Sequence, residues 1–128
     1  MTLRITAGEW RGRAIRTVAG RAVRPSPAML REALFNMIGP AIRGARFLDL
    51  CAGSGAVGLE ALSRGAAHAT FVESHPSSLA VIRANLETLG AAERATLLRR
   101  DAALAPEELA RRGERFDIAF LDPPYDTD

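Results

Sequence analysis

From residue 46 onward, apolar positions alternate between two spacings. Short, nearly continuous apolar runs (RFLDLC, ATFVE, ATLLR and FDIAFL) are separated by stretches whose apolar residues recur every three or four positions. The runs predict strands buried on both faces. The spaced stretches predict helices. GLEALSRG is one such helix. A longer one opens at Pro76, keeps Leu79, Ile82, Leu86 and Leu89 on one face and ends at Gly90, and PEELARR forms a short third beginning at Pro106. Strands alternating with helices predict a parallel sheet covered on both sides, an α/β fold. In such sheets ligands bind beyond the carboxyl ends of the strands.

The first 44 residues follow a different pattern. LRIT and RAIRT are short extended stretches joined through AGEWRG, which predicts a β-hairpin. A polar loop, TVAGRAVRPSP, leads into SPAMLREALFNMIGP, a helix with Ser26 as its N-cap, Pro27 at its first position and Gly39-Pro40 as its stop. Leu30, Leu34, Met37 and Ile38 are expected to pack downward, with Arg31 and Glu32 on other faces. The expected organisation is therefore an N-terminal hairpin and helix over residues 1–44, followed by a ligand-binding sheet over residues 45–128.

Charge sharpens that division. Residues 1–46 carry nine arginines against Glu9 and Glu32, a balance of +7, while residues 47–128 carry eight arginines against thirteen acids, a balance of −5. A basic end on an acidic body suggests that the basic end meets a polyanion. The chain has no lysine, a bias that extends into the acidic part and carries no functional weight. With 128 residues there is room for one compact domain. No apolar run approaches the ~20 residues that cross a bilayer, and the N-terminus lacks a secretory pattern. The single cysteine, Cys51, rules out an internal disulfide framework. A cytoplasmic location is expected.

The chemistry concentrates at two strand ends. In DLCAGSGAVG, Gly53, Gly55 and Gly58 form a GxGxxG loop between a strand and a helix, and Glu73 follows Gly53 by twenty residues at the end of the second strand. That is the nucleotide-binding fingerprint in its required context: glycines admit the ligand to the backbone, and the carboxylate can accept both ribose hydroxyls. Asp49, four residues before Gly53, occupies a position where dinucleotide enzymes carry apolar residues. Its carboxylate suits the ammonium of a methionine moiety, or else a loop-orienting hydrogen bond to backbone. Asp101 could accept from the exocyclic amine of an adenine, or could cap a helix or face solvent.

The second place is Asp122-Pro123-Pro124-Tyr125, after the fourth strand. An exocyclic base nitrogen is a poor nucleophile because its lone pair is delocalised into the ring. Acceptors aimed at both amine hydrogens, the Asp122 carboxylate and the Pro123 carbonyl, would draw it towards tetrahedral geometry, and two prolines would hold those acceptors in place. Tyr125 offers a face on which an extruded base can stack. A proline turn with a buried tyrosine is the plainer alternative. Cys51 is expected to be a small buried apolar residue. His68 and His75 are expected to be structural or solvated, without partners, and Arg99-Arg100 and Arg111-Arg112 to be solvated faces.

ITAGEWRGR, RPSPAMLREALFN, FLDLCAGSGAVGLEALSRGA, FVE and FDIAFLDPPY together resemble class I S-adenosylmethionine-dependent methyltransferases, and more narrowly the RsmD-type enzymes that methylate a guanine N2 amine in small-subunit ribosomal RNA. The resemblance implies a Rossmann-like sheet with strand order 3-2-1-4 in the part covered, behind an N-terminal hairpin and helix. It implies that Asp49, Ala52, Gly53, Ser54, Gly55, Glu73, Asp101 and Ala102 hold S-adenosylmethionine, whose product is S-adenosylhomocysteine, with no metal. Asp122 to Tyr125 would hold the base. Arg11, Arg13, Arg24 and Arg31 would meet the RNA, naked or in an assembling small subunit, with no membrane and no obligate protein partner. SPAM at 26–29 departs from the family's polar Thr-Thr-Asp-Arg-like run, which bears on RNA contact near that helix.

The family's fold continues past the proline motif, so the chain is expected to be the cofactor half, truncated there, with weak cofactor binding and little turnover on its own. Other substrates present the same planar amine: adenine N6 in nucleic acid, or a protein amide. Two further classes remain, a nicotinamide-dependent dehydrogenase, which Asp49 and the proline motif disfavour, and a catalytically inactive RNA-binding fragment.

Overall fold

The computed structural model describes residues 3–18 and 28–122. Four parallel strands form the centre: β3 (Arg46–Leu50), β4 (His68–Glu73), β5 (Ala95–Arg99) and β6 (Ile118–Leu121), in the spatial order β5-β4-β3-β6. This is the 3-2-1-4 order expected for the covered part. β3, first in chain order, pairs with both β4 and β6, with Leu50 beside Val72 on one side and Leu121 on the other. The two strands that carry the glycine loop and the Asp122 motif are thus immediate neighbours.

Alternation along the strands sends side chains to two cores. Phe47, Ala69 and Phe71 face a large cluster with Leu59, Leu62, Ile82 and Leu86 from α2 (Ala56–Ser63) and α3 (Pro76–Leu89). Leu48, Leu50 and Val72 face a smaller one closed by Ala105 and Leu109 of α4 (Ala105–Arg111). α2 is buried along its whole length, so it has no polar face to offer solvent. It lies so near β4 that a Cβ at Gly58 would sit 2.3 Å from Phe71 Cε2. Only glycine fits there. α3 matches its sequence signals at both ends: Pro76 opens it and Gly90, at φ 69°, closes it.

The N-terminal hairpin is shorter than its pattern suggested. β1 (Leu3–Arg4) and β2 (Ala14–Ile15) each contribute two residues to an antiparallel pair. Its stability comes from packing: Leu3, Ile5, Trp10 and Ile15 are buried in the same cluster as α2 and α3. The Glu9 N–H donates to the Ser63 carbonyl (2.8 Å), and the Trp10 N–H to Ser63 Oγ (2.9 Å). Arg94 then lies over the Trp10 ring and ion-pairs with Glu9.

α1 (Ala28–Ile38) turns a different face inward from the one expected. Arg31 and Phe35 are buried, with Leu34 and Ile38 half-buried, whereas Leu30 and Met37 are exposed. Phe35 stacks at a tilt on Phe47 with centroids 6.0 Å apart. Arg31 reaches Glu60 of α2 (3.3 Å) and donates to the Arg4 carbonyl. An aromatic anchor and a buried ion pair select this face over the aliphatic stripe. Glu60 also accepts from the Thr6 and Ala7 N–H groups, the Thr6 hydroxyl and Arg64. Burial alone would raise its carboxyl, but these donors outweigh that and hold it below its usual value. The Ser26 cap, Pro27 and the loop before them lie outside the described residues.

Candidate functional site

The site is built at the carboxyl edge of the sheet. After Leu50 the chain turns through Cys51 (φ 62°), Gly53 (φ 58°) and Gly55 (φ 86°) before α2 begins. Glycine takes positive φ freely. At Cys51 the same conformation costs ~1 kcal/mol or more, which the surrounding hydrogen bonds must offset. The Ala52 N–H donates to the Val72 carbonyl (3.0 Å), and the Gly53 N–H donates to Glu73 Oε1 (2.9 Å). Glu73, 7 % exposed, uses its other oxygen to accept from the His75 N–H (3.1 Å), with His75 Nδ1 3.0 Å away.

Asp49 is buried in the strand, and its Oδ2 accepts from the Gly58 N–H (3.0 Å). α2 has no side-chain cap at Gly55, so this carboxylate from β3 satisfies an amide of the first helical turn instead. Of the two roles considered for Asp49, the backbone-orienting bond is present. Burial pushes its carboxyl up to about 7; the Gly58 bond pulls the other way, and the charges of Glu73 and Asp122 add to the rise.

Asp101 is exposed beyond β5, and its Oδ1 accepts from the Ala103 N–H (2.8 Å), holding the turn into α4. Ala102 is half-buried against the smaller core. Asp122 directly follows Leu121, which pairs in register with Leu50, so it stands beside the start of the glycine loop. Pro123, Pro124 and Tyr125 lie outside the described residues. Burial first, then Glu73, Asp49, Asp101 and Asp122 together, raise the Cys51 thiol. Four acids, Glu73, Asp49, Asp101 and Asp122, thus gather around Cys51 at the carboxyl ends of the strands. Among the described residues, no group of His, Cys, Asp and Glu is arranged to hold a metal ion.

Three expectations need correction. Arg31 is not a surface contact for RNA: it is 1 % exposed and committed to Glu60 and Arg4. Cys51 is half-buried rather than buried. Both histidines have partners: His75 has Glu73, and His68 Nε2 lies 2.8 Å from Thr96 Oγ1. Arg11 and Arg13 are exposed, with Arg13 donating to the Thr88 carbonyl (3.2 Å), while Arg24 lies outside the described residues. Arg100 and Arg112 pair with Glu108, and Arg111 with Glu107, on an exposed face. One residue near the site escaped the sequence reading, Asn85. Asn85 had a visible signal, an amide at a core position of α3 between Ile82 and Leu86.

The Asp49 carboxyl gives a prediction about stability. Its ordinary value of 3.8 rises to about 7 in the fold, so between these pH values the unfolded chain loses a proton that the folded chain keeps. This contribution is fully present below pH ~4 and is lost as pH rises through ~7. Asp49→Asn is expected to remove that part of the pH dependence, measured as denaturant midpoints across the range. An unchanged slope would show that Asp49 ionises normally.

A parallel β5-β4-β3-β6 sheet with a glycine loop after β3 and a carboxylate at the end of β4 is the arrangement of the class I methyltransferase fold. The SAM-dependent methyltransferase from Agrobacterium tumefaciens superposes with a TM-score of 0.66 at 26% identity, covering 79% of this chain and 32% of that one. The chain belongs to the family described as conserved hypothetical protein 95, which matches residues 3–128. Among its relatives is ribosomal RNA small subunit methyltransferase D of Escherichia coli (strain K12), 42% identical over 123 residues, covering 96% of this chain and 60% of that protein. A hypothetical protein of Thermus thermophilus has the same fold with a TM-score of 0.86 and 40% identity, covering 98% of this chain and 71% of that one. The chain spans about three fifths to two thirds of the length of the rRNA methyltransferases it matches.

Proposed function

We propose that this chain carries the cofactor-binding half of an S-adenosylmethionine-dependent RNA methyltransferase whose target is the N2 amine of a guanine in small-subunit ribosomal RNA. The observation that carries the reading is the gathering of four acids at the glycine loop. A dinucleotide's pyrophosphate would seek free amides at the N-terminus of α2. There it would meet Gly58 already bonded to the Asp49 carboxyl and Gly53 already bonded to Glu73. A ligand bearing positive charge suits those acids.

S-adenosylmethionine supplies an electrophilic methyl on a cationic sulfur. Glu73 would accept the ribose hydroxyls, with its Oε1 held by the Gly53 N–H and its Oε2 by the His75 N–H. Asp49, in the ionised form that a nearby ammonium would favour, would hold the amino-acid end, and Ala52, Gly53, Ser54 and Gly55 would lie along the cofactor. Asp101 and Ala102 border the adenine. By resemblance to the family, Asp122 and the Pro123 carbonyl would accept from the two hydrogens of the target amine, and Tyr125 would stack on its base. With the amine held in this way its lone pair would be free to take the methyl, and Asp122 would accept the surplus N–H proton and pass it to solvent. Positioning does most of the work.

Arg11 and Arg13 face solvent on the hairpin and contact RNA phosphates. Changing both to alanine should weaken binding to ribosomal RNA and reduce the slope of log affinity against log salt by about 2. Titrations at several salt concentrations measure this, and an unaltered slope removes the hairpin from the interface. No described helix is long and apolar enough to cross a membrane, and work on ribosomal RNA belongs in the cytoplasm. Calorimetry tests the core of the proposal. S-adenosylhomocysteine should bind and NAD should not; the reverse would make the site a dehydrogenase's, and binding of neither would leave an RNA-binding fragment.

A further inference from the structure

Asn85 sits on the buried face of α3, 3 % exposed. An amide in a core is costly unless each of its groups finds a partner. Here they do, in two places far apart in sequence. Oδ1 accepts from the Arg16 N–H (2.9 Å), and Nδ2 donates to the Arg16 carbonyl (3.2 Å) and to the Ser54 carbonyl (3.2 Å). With two carbonyls on one side and an N–H on the other, only one orientation of the amide satisfies all three. The side chain pairs with the main chain of Arg16 as an adjacent strand would, one residue past the end of β2. Its second N–H holds the glycine loop.

The two segments joined in this way have different tasks. Arg16 continues the arginine-rich hairpin, and its own side chain is exposed. Ser54 lies in the loop between Gly53, anchored by Glu73, and Gly55, where α2 begins. A planar amide cannot follow either segment independently. If the Arg16 peptide moves away, the amide loses the partners that fix its plane, and the Ser54 carbonyl loses an aligned donor. If the loop shifts, the Arg16 pairing is strained in turn.

We propose that Asn85 is a positioning residue that couples the N-terminal arm to the cofactor loop, so that ordering one favours the other. The inference rests on reading the loop as a nucleoside-cofactor site. Coupling of this kind is reciprocal: a ligand that stiffens the loop must also stiffen the arm.

The test uses calorimetry with S-adenosylhomocysteine and amide hydrogen exchange on the whole chain, for the wild type, Asn85→Ala and Arg16→Pro. In the wild type, the ligand is expected to slow exchange at the Arg16 amide. In Asn85→Ala that response should vanish, and the ligand should bind about 5- to 10-fold more weakly. Arg16→Pro removes the donated N–H from an exposed residue and leaves α3 intact, so it should weaken binding in the same direction even if Asn85→Ala folds poorly. A merely structural asparagine would lower the melting temperature and speed exchange generally, while the ligand response at Arg16 and the affinity stayed as in the wild type. That result overturns the coupling. Absence of binding to the wild type overturns the cofactor reading itself, and the coupling falls with it.

Discussion

Asp122→Ala is expected to cut methyl transfer to small-subunit ribosomal RNA by at least about 10²- to 10³-fold, the usual loss when a positioned polar partner of a transition state is removed. Cofactor affinity should change far less than the rate, because the groups assigned to the cofactor lie on β3, the glycine loop, β4 and the turn after β5, while Asp122 follows β6. The separation of rate from affinity identifies the role. A group that merely shaped the fold would change both, and a stacking or RNA-docking group would raise KM first. Asp122 also leaves a second signature, since its charge contributes to the rise of the Asp49 carboxyl. The variant should therefore titrate Asp49 at a lower pH than the wild type. A turnover rate close to that of the wild type would remove Asp122 from the chemistry.

The second large effect concerns stability. Glu60→Ala removes an acid that contacts both Arg31 and Arg64, and it takes the carboxylate away from a guanidinium that is 1 % exposed in the core. It also strips the acceptor from the Thr6 and Ala7 N–H groups. Breaking a buried pair from one side typically costs about 3–5 kcal/mol, a large fraction of what a domain of this size possesses. Chemical denaturation of Glu60→Ala measures the loss. Replacing Glu60 and Arg31 together with apolar residues of similar size should recover much of it, because the penalty lies in the charge left behind. A single-variant loss below about 1 kcal/mol would mean that the pair behaves as a surface one.

Local signals carried the architecture well. Proline and glycine marked both ends of α3, and four short apolar runs gave four parallel strands in the expected order, because covered parallel strands need no polar alternation. The same signals failed at α1. Its apolar residues mark more than one face, and periodicity could not weigh Phe35 against Leu30 and Met37 or see that Arg31 would meet an acid 29 residues further on. A charged residue is read as exposed until its partner is known. At the site, the loop and Glu73 were legible from their spacing. What Glu73 holds was not, since its bonds to Gly53 and His75 depend on how the two strand ends fold back on each other. Asn85 shows a third case, in which the polar exception in a helical stripe was visible but its two distant partners were not.

The setting of Cys51 has a bench consequence. Alkylating reagents and peroxide attack the thiolate, and four acids plus partial burial disfavour that form here. This chain's single cysteine should therefore react sluggishly with iodoacetamide or maleimide dyes, so a new surface cysteine in the chain could be labelled for fluorescence work without first replacing Cys51.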